Sequence, residues 1–416
     1  MKESFKALQI TDHVYWVGAI DWPIRDFHGY TTDRGSTYNA YLITGDKNIL
    51  IDTVKAPFLD EMMARIASVI KPEDIDYIIS DHSEMDHTGS LPATVAAVKP
   101  DKVFASVMGV KALAKHYHMD REITAVKDGE TKQLGNFNFT FVETRMLHWP
   151  DSMFTYFAED SLLFSQDGFG MHLATSQRFA DEVDPRIIHD EASRYYANII
   201  LPFSPIVANL LKKMAGMRLD IKMIAPDHGP IWRGEGIKKV IDWYATWAAQ
   251  KPANKAVVVF DTMWHSTEKM ARAIAEGLKD GGSRVKVMPM HSHHRSDVIA
   301  ELLCAGAIAA GSSTLNNNIL PSMADVLTYV KGLKSRNLIG QAFGSYGWSG
   351  ESVPQLVNIL KDMKVQLVGE PISVEYVPDD AALKKCYGLG KAIAARLAEI
   401  SRDAARGSDA NEESRS

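Results

Sequence analysis

Apolar and polar positions change rhythm once along the chain. In the first part, Val14–Val17, Tyr38–Thr44, Ile49–Ile51 and Phe137–Val142 are short runs rich in aromatic and β-branched residues, and they predict strands. Leu59–Ile70 and Met108–Tyr117 carry apolar residues at helical spacing and predict amphipathic helices. Strands and helices are mixed without regular alternation, a pattern that fits an α/β sandwich. The polar segment Gln250-Lys251-Pro252-Ala253-Asn254-Lys255 then interrupts the chain. Beyond it the alternation is regular. Strands are expected at Val257–Phe260, Val285–Met288, Ala305–Ala310 and Leu338–Phe343, and helices at Glu268–Lys279, Ser322–Leu333 and Glu351–Met363. Strand–helix alternation of this kind predicts a doubly wound parallel sheet, whose ligands bind at the carboxyl ends of the strands. The expected division is therefore residues 1–250, residues 251–400, and a charged stretch, 401–416, whose lack of apolar period predicts a disordered tail.

Composition narrows the function classes. The chain has 416 residues, 46% hydrophobic and 24% charged, which is globular, and a net charge of −6, which argues against coating nucleic acid. The apolar runs read from the sequence are shorter than the roughly 18–20 residues of a membrane helix, and Met1 to Trp16 lacks the apolar core of a signal peptide. Two cysteines, Cys304 and Cys386, fit a reducing cytoplasm and exclude a four-thiolate metal site within the chain. Any metal chemistry must use His, Asp and Glu.

Those residues are concentrated in one place. His82-Ser83-Glu84-Met85-Asp86-His87 directly follows the apolar strand Tyr77–Ser80. A loop leaving a strand can turn alternate side chains to one point, so His82, Glu84 and Asp86 are expected to converge, with His87 adjacent. His148, Asp167 and His228 each lie at the end of an expected strand, beside Gly or Pro. Seven donors exceed the needs of one tetrahedral ion and favour two metals sharing a carboxylate. Mixed imidazole and carboxylate ligation suits iron or manganese. By contrast, His291-Ser292-His293-His294 has no carboxylate or thiol partner in view and is expected to be a surface loop, and His116 and His118 sit at a helix end.

The second half offers a different chemistry. Asp261-Thr262-Met263-Trp264-His265-Ser266-Thr267 connects a strand to a helix, where hydroxyls and free N–H groups form an anion site. There is no Gly-x-Gly-x-x-Gly and no Gly-Lys-Ser/Thr, so a dinucleotide or nucleoside triphosphate loop is not expected. Two later loops follow buried strands: Gly311 to Asn318, with Ser312, Ser313, Thr314, Leu315, Asn316 and Asn317, and Gly344 to Gly350, with Ser345, Tyr346, Gly347 and Trp348. The three loops together resemble the flavodoxins, which implies bound FMN.

The His-x-Glu-x-Asp-His cluster with distant His148, Asp167 and His228 resembles the metallo-β-lactamase fold in its flavodiiron variant. Hydrolytic members of that superfamily carry a second His where this chain has Glu84. The resemblance spans about Thr11 to Ile400 and implies an A-type flavodiiron protein: an N-terminal αββα sandwich followed by a flavodoxin-like domain. It implies that His82, Glu84 and His148 hold one iron, that Asp86, His87 and His228 hold the other, and that Asp167 bridges them. It also implies that His28, His172 and Tyr195 line the substrate pocket. The activity implied is reduction of dioxygen to water, of nitric oxide to nitrous oxide, or of both, with FMN relaying electrons to the irons. Two ferrous ions and one reduced flavin hold the four electrons that dioxygen requires. The implied assembly is a head-to-tail homodimer or a dimer of dimers, and the implied donor is external: rubredoxin, or a reduced deazaflavin. Two rival readings are a metallo-β-lactamase-type hydrolase, against which Glu84 and the second domain speak, and an electron-transfer flavoprotein with a metal-free first domain.

Overall fold

A computed structural model of the protein describes residues 5–118 and 121–413. The chain divides into two compact units, one formed by Met1–Tyr195 with Pro205–Ala245, the other by Tyr196–Ser204 with Thr246–Ser416.

The first unit is built on two sheets. One has seven strands in the order Leu8–Gln9, Val14–Trp16, Tyr41–Ile43, Asn48–Ile51, Ile75–Ser80, Lys102–Ser106 and Ile123–Val126. Its first four strands pair antiparallel and the rest parallel. The other has six, in the order Thr131–Leu134, Phe137–Glu143, Met153–Phe157, Leu162–Phe164, Met223–Ala225 and Trp232–Arg233. Period-two side-chain alternation explains how they stack. Phe137, Phe139 and Phe141 point to one face and meet Trp16, Tyr41, Ile49, Ile51 and Ile79 of the first sheet in a common apolar core. The opposite face of the first sheet, with Leu42, Leu50, Ile78 and Val103, packs on Met62, Ile66, Leu91, Val95 and Leu113 of the helices Leu59–Ala67, Leu91–Val98 and Val107–Tyr117. The helices Pro185–Tyr195 and Glu235–Ala249 flank the second sheet, where Phe169 bridges Phe154 and Tyr244. This is an αββα sandwich, as expected.

In the second unit the strands Arg284–Pro289, Lys255–Asp261, Ala307–Leu315 and Ile339–Tyr346 are parallel, with Gln366–Leu367 and Ile372–Glu375 both pairing with the last. The order 2-1-3-4-5 is that of a doubly wound flavodoxin-type sheet. On one face Met270, Ile274 and Leu278 of the helix Ser266–Asp280 pack with Leu389, Ile393 and Leu397 of the long last helix. These two helices cross at glycines. A Cβ on Gly277 would lie 2.1 Å from the carbonyl oxygen of Tyr387, and one on Gly390 2.1 Å from that of Ile274.

Two expectations need correction. The last helix spans Asp380–Glu413, so it runs through most of the stretch where a disordered tail is expected; residues 414–416 lie outside the described residues. Ala and Arg dominate the turns just past Ser401, and extending a helix already anchored by packing costs far less than nucleating one. The expectation about apolar length also fails on a narrow reading. The continuous helical run Pro185–Met217 is long and apolar enough to cross a membrane by length and composition alone. It is interrupted by a π segment at Tyr196–Ile200 and a 3-10 turn at Leu201–Phe203, and Ile188, Ala192, Tyr195, Tyr196 and Ile200 are buried.

Candidate metal centre and flavin cleft

The strands of both sheets in the first unit end beside one pocket. His82 follows Ile75–Ser80, Asp167 follows Leu162–Phe164 and His228 follows Met223–Ala225, each on the loop after its strand. Extended backbone lasts only to Glu84, which precedes a single helical turn, Met85–Thr88. That turn changes the expected convergence of His82, Glu84 and Asp86: His82 and Glu84 face one group of donors, while Asp86 and His87 face another. The two groups are His82, Glu84, His148 and Asp167, and Asp86, His87 and His228. All four imidazoles present Nε2. His82 and His148 lie 3.3 and 3.0 Å from Asp167 Oδ2, and His87 and His228 lie 3.1 and 3.4 Å from Asp167 Oδ1. Asp167 therefore offers one oxygen to each group. Glu84 Oε2 completes the first group, 3.4 Å from His82 and 3.1 Å from His148, and Asp86 Oδ2 lies 3.0 Å from His228.

The electrostatics follow from burying so many charges together. Burial alone would raise Glu84, but hydrogen bonds to His148 and His82 hold it at about 2, and Asp86 and Asp167 also stay low, against burial, through neighbouring imidazoles. Burial pulls His82, His87 and His148 down, and the surrounding carboxylates outweigh it and raise all three. Three carboxylates and four imidazoles so arranged are a donor set that cations fit, and the buried Asp86 Oδ1 has no protein hydrogen-bond partner.

The residues expected to line a substrate pocket lie nearby. His28 Nε2 is 3.4 Å from Glu84 Oε1 and its side chain is 76% exposed. His172 is fully buried, its Nδ1 2.8 Å from Ser36 Oγ and its Nε2 without a partner. Burial, reinforced by the neighbouring His228, pushes His172 well below the usual imidazole range, so it stays neutral. Tyr195 is buried with its ring 5.0 Å from that of His172 and 6.0 Å from that of His228, whereas Tyr196 is bonded to Ser204 and packs on Trp247.

Several residues around the pocket escaped sequence reasoning. Asp151, on the loop after His148, touches His82; Asp227 lies behind His87; and Asp52 and Asp81 share a buried site in which the Asp81 N–H donates to Asp52 Oδ1. Burial pushes Asp52 up to about 6 and raises Asp81 and Asp227 well above the usual carboxylate range. Asp151 and Asp227 adjoin the His-Trp-Pro and Asp-His-Gly motifs, and that adjacency is the one sequence signal that could have found them.

In the second unit a cleft of about 480 Å³ opens at the carboxyl ends of the parallel strands. Met263, Trp264, Ser266, Ser313, Thr314, Asn316, Asn317, Ser345, Tyr346, Gly347 and Trp348 line it. The helix Ser266–Asp280 starts at its floor, and the preceding His265 provides no side-chain cap for the first turn. Thr262 Oγ1 is buried without a partner. Unsatisfied donors at a helix start fit a phosphate, and the rim tryptophans, Trp264 and Trp348, are 87% and 88% exposed, with faces that fit a flat ring. Five expected residues do not line the cleft. His265 turns to Glu268, 2.8 Å away. Thr267 bonds Ser313 and Ser345 from beneath, tying the two later loops together. Ser312 bonds backbone at Ser313 and Leu320, and Thr262 and Leu315 are half-buried outside the lining. Ser349, and Tyr376 and Val377 on a fourth loop after Ile372–Glu375, complete the lining; the Tyr376 N–H donates to the Tyr346 carbonyl. The remaining histidines behave as read: His294 caps the helix Arg295–Leu302, and its neighbours stay in the preceding loop.

Both units resemble known proteins. The family described as ODP family beta lactamase matches residues 37–229, and the flavodoxin family matches 258–390. The nitric oxide reductase of Moorella thermoacetica is 46% identical over 394 residues, covering 94% of this chain and 98% of the relative. The solved rubredoxin oxygen:oxidoreductase of Desulfovibrio gigas is 44% identical with a TM-score of 0.93, covering 95% of this chain and 99% of that one. The flavodiiron protein of Giardia intestinalis is 35% identical, also at a TM-score of 0.93, covering 96% and 98%. With relatives this similar along nearly the whole length, the chain belongs to the flavodiiron family.

Proposed function

We propose that this protein reduces dioxygen to water, nitric oxide to nitrous oxide, or both, at a two-iron site supplied with electrons through FMN. The observation that carries the reading is Asp167, whose two oxygens each face a separate pair of imidazoles. In it His82, Glu84 and His148 would hold one iron and Asp86, His87 and His228 the second, with Asp167 offering one oxygen to each. Bound iron supplies Lewis acidity and electrons, and FMN in the cleft of the second unit relays further electrons.

The chain's own residues do the rest. Glu84 puts an anion where hydrolytic relatives have a neutral imidazole, which favours iron over the zinc pattern. His172, Tyr195 and the aromatic ring of Phe27, 4.7 Å from that of His172, exclude bulk water beside the donors. Neutral His172 presents Nε2 without a protein partner, a position from which it can bond a small substrate. His28, exposed at the tip of the hairpin formed by Asp26–Phe27 and Tyr30–Thr31, covers Glu84 from the solvent side. In the second unit the first turn of the helix Ser266–Asp280 would bind the FMN phosphate, and Tyr346 and Trp348 would border the ring. The electron donor is external, a rubredoxin first and a reduced deazaflavin second. A cytoplasmic head-to-tail homodimer, or a dimer of dimers, brings the flavin of one copy to the irons of another.

Full-length protein purified without oxygen is expected to hold two irons and one FMN per chain and, once reduced, to be oxidised rapidly in stopped flow by dioxygen, nitric oxide or both. Zinc in place of iron, or indifference to both gases, overturns the reading.

A further inference from the structure

The four imidazoles share one orientation toward the pocket and differ in what stands behind them. Behind His82, Asp151 Oδ2 lies 3.0 Å from Nδ1 and accepts the Ser83 N–H at 2.6 Å. The Asp151 carbonyl in turn accepts from Ser106 Oγ at 2.6 Å, and Ser106 caps the helix Val107–Tyr117, so Asp151 is held by a rigid element. Behind His87, Asp227 Oδ2 lies 3.3 Å from Nδ1. Both Asp227 carboxylate oxygens and His87 Nδ1 are buried, and none of the three makes an aligned hydrogen bond. Behind His228 stands a neutral group, the Thr37 carbonyl, 2.6 Å from Nδ1.

A neutral imidazole has one donor and one acceptor nitrogen, and only the acceptor can bind a metal. Whatever takes the Nδ1 proton therefore decides whether Nε2 is available, and it sets the ring plane as well. A carboxyl group accepts through its carbonyl oxygen whether or not it is ionised, so the burial of Asp227 does not remove that capacity. We propose that Asp151 and Asp227 are positioning residues, one for each half of the centre: Asp151 fixes His82 and Asp227 fixes His87 with Nε2 bare and aimed at the metal. The division follows the two donor groups, since His82 belongs to one and His87 to the other. The proposal rests on the two-iron reading and extends it to residues outside the ligand set.

The test is anaerobic titration of the metal-depleted full chain with ferrous iron, followed by Mössbauer spectroscopy, for wild type, D151A, D151N, D227A and D227N. Wild type that fails to take two ions defeats the two-iron reading itself. With two ions in wild type, D151A is expected to weaken one about 10–100-fold and D227A the other, the range typical for loss of a residue behind a ligand histidine. In D151N the amide oxygen can accept from both Ser83 and His82, so affinity recovers to within a few-fold while the quadrupole splitting of one iron alone shifts. D227N is expected to behave likewise at the other iron. Wild-type binding and spectra in all variants overturn the proposal, as does equal weakening of both ions by either alanine change. Should an alanine variant fail to fold, its asparagine counterpart decides: one perturbed iron supports the role, and two unperturbed or two equally perturbed irons overturn it.

Discussion

In the metal pocket seven ionisable side chains gather in two groups, most of them buried, and more carboxylates stand behind them. In the flavin cleft the lining is hydroxyl, amide and aromatic, without a single charged residue, and its largest side chains are mostly exposed. Both lie at the carboxyl ends of strands, yet their materials are opposite. The first depends on mutual neutralisation, in which removing one charge leaves others buried and unpaired, so its losses are abrupt. The second depends on backbone donors and ring faces, each contributing modestly, so its losses are graded.

Three experiments sharpen or break this contrast. The largest effect belongs to Asp167→Asn. Removing the shared anion is expected to cost at least one iron per chain and to lower gas reduction more than about 100-fold, beyond the range for residues that merely orient ligands. FMN content should be untouched, and a parallel loss of flavin, read from absorbance beside metal analysis, would show that the two regions are not independent.

Next comes pH. Glu191 is buried beside Arg34, 3.0 Å away, and burial pushes its carboxyl up to about 7. Between the ordinary value of 4.5 and about 7 the folded chain binds the proton that the unfolded chain has released. Stability therefore falls as pH rises through that window, by about 3–4 kcal/mol for a shift of this size. Glu191→Gln, whose amide oxygen still accepts from Arg34, should flatten that slope. Thermal unfolding of both proteins at pH 5.5 and 8 checks it, and an equally steep slope in the variant would locate the titrating group elsewhere.

The smallest effect is expected for Trp348→Ala in the cleft. Losing one ring face costs about 0.5–1.5 kcal/mol, or roughly a 2- to 12-fold weaker FMN affinity. Fluorescence titration of the flavin-free protein measures this, with iron per chain unchanged. An all-or-none loss of FMN would make the cleft as brittle as the metal pocket.

Much of this was legible in the sequence because it is local. Strands such as Phe137–Glu143 and helices such as Ser266–Asp280 announce themselves through period-two and helical spacing, and each falls within a few residues of its expected place. The grouping of the candidate donors was legible because four lie within six residues and the others beside Gly or Pro at strand ends. What stayed hidden was non-local or depended on backbone direction. Nothing in the spacing says that one helical turn after Glu84 sends Asp86 and His87 to the second group. Asp151 and Asp227 look like ordinary loop acids until folding buries them behind His82 and His87. Thr267 and His265 sit in the right loop, and only the helix start decides that one ties loops together while the other turns to Glu268. Tyr376 belongs to a short strand at the sheet margin whose alternation is too brief to stand out.

The order of the donors along the chain also bears on how the protein comes into being. Synthesis delivers His82, Glu84, Asp86 and His87 together, His148 and Asp167 later, and His228 only after the second sheet's fifth strand. Neither group of donors is complete until chain from both sheets has been made and packed, so the site does not exist in the early nascent chain. Selection for the correct metal belongs to the finished fold, after His228 has closed the second group, and loading is a step of maturation, not of translation.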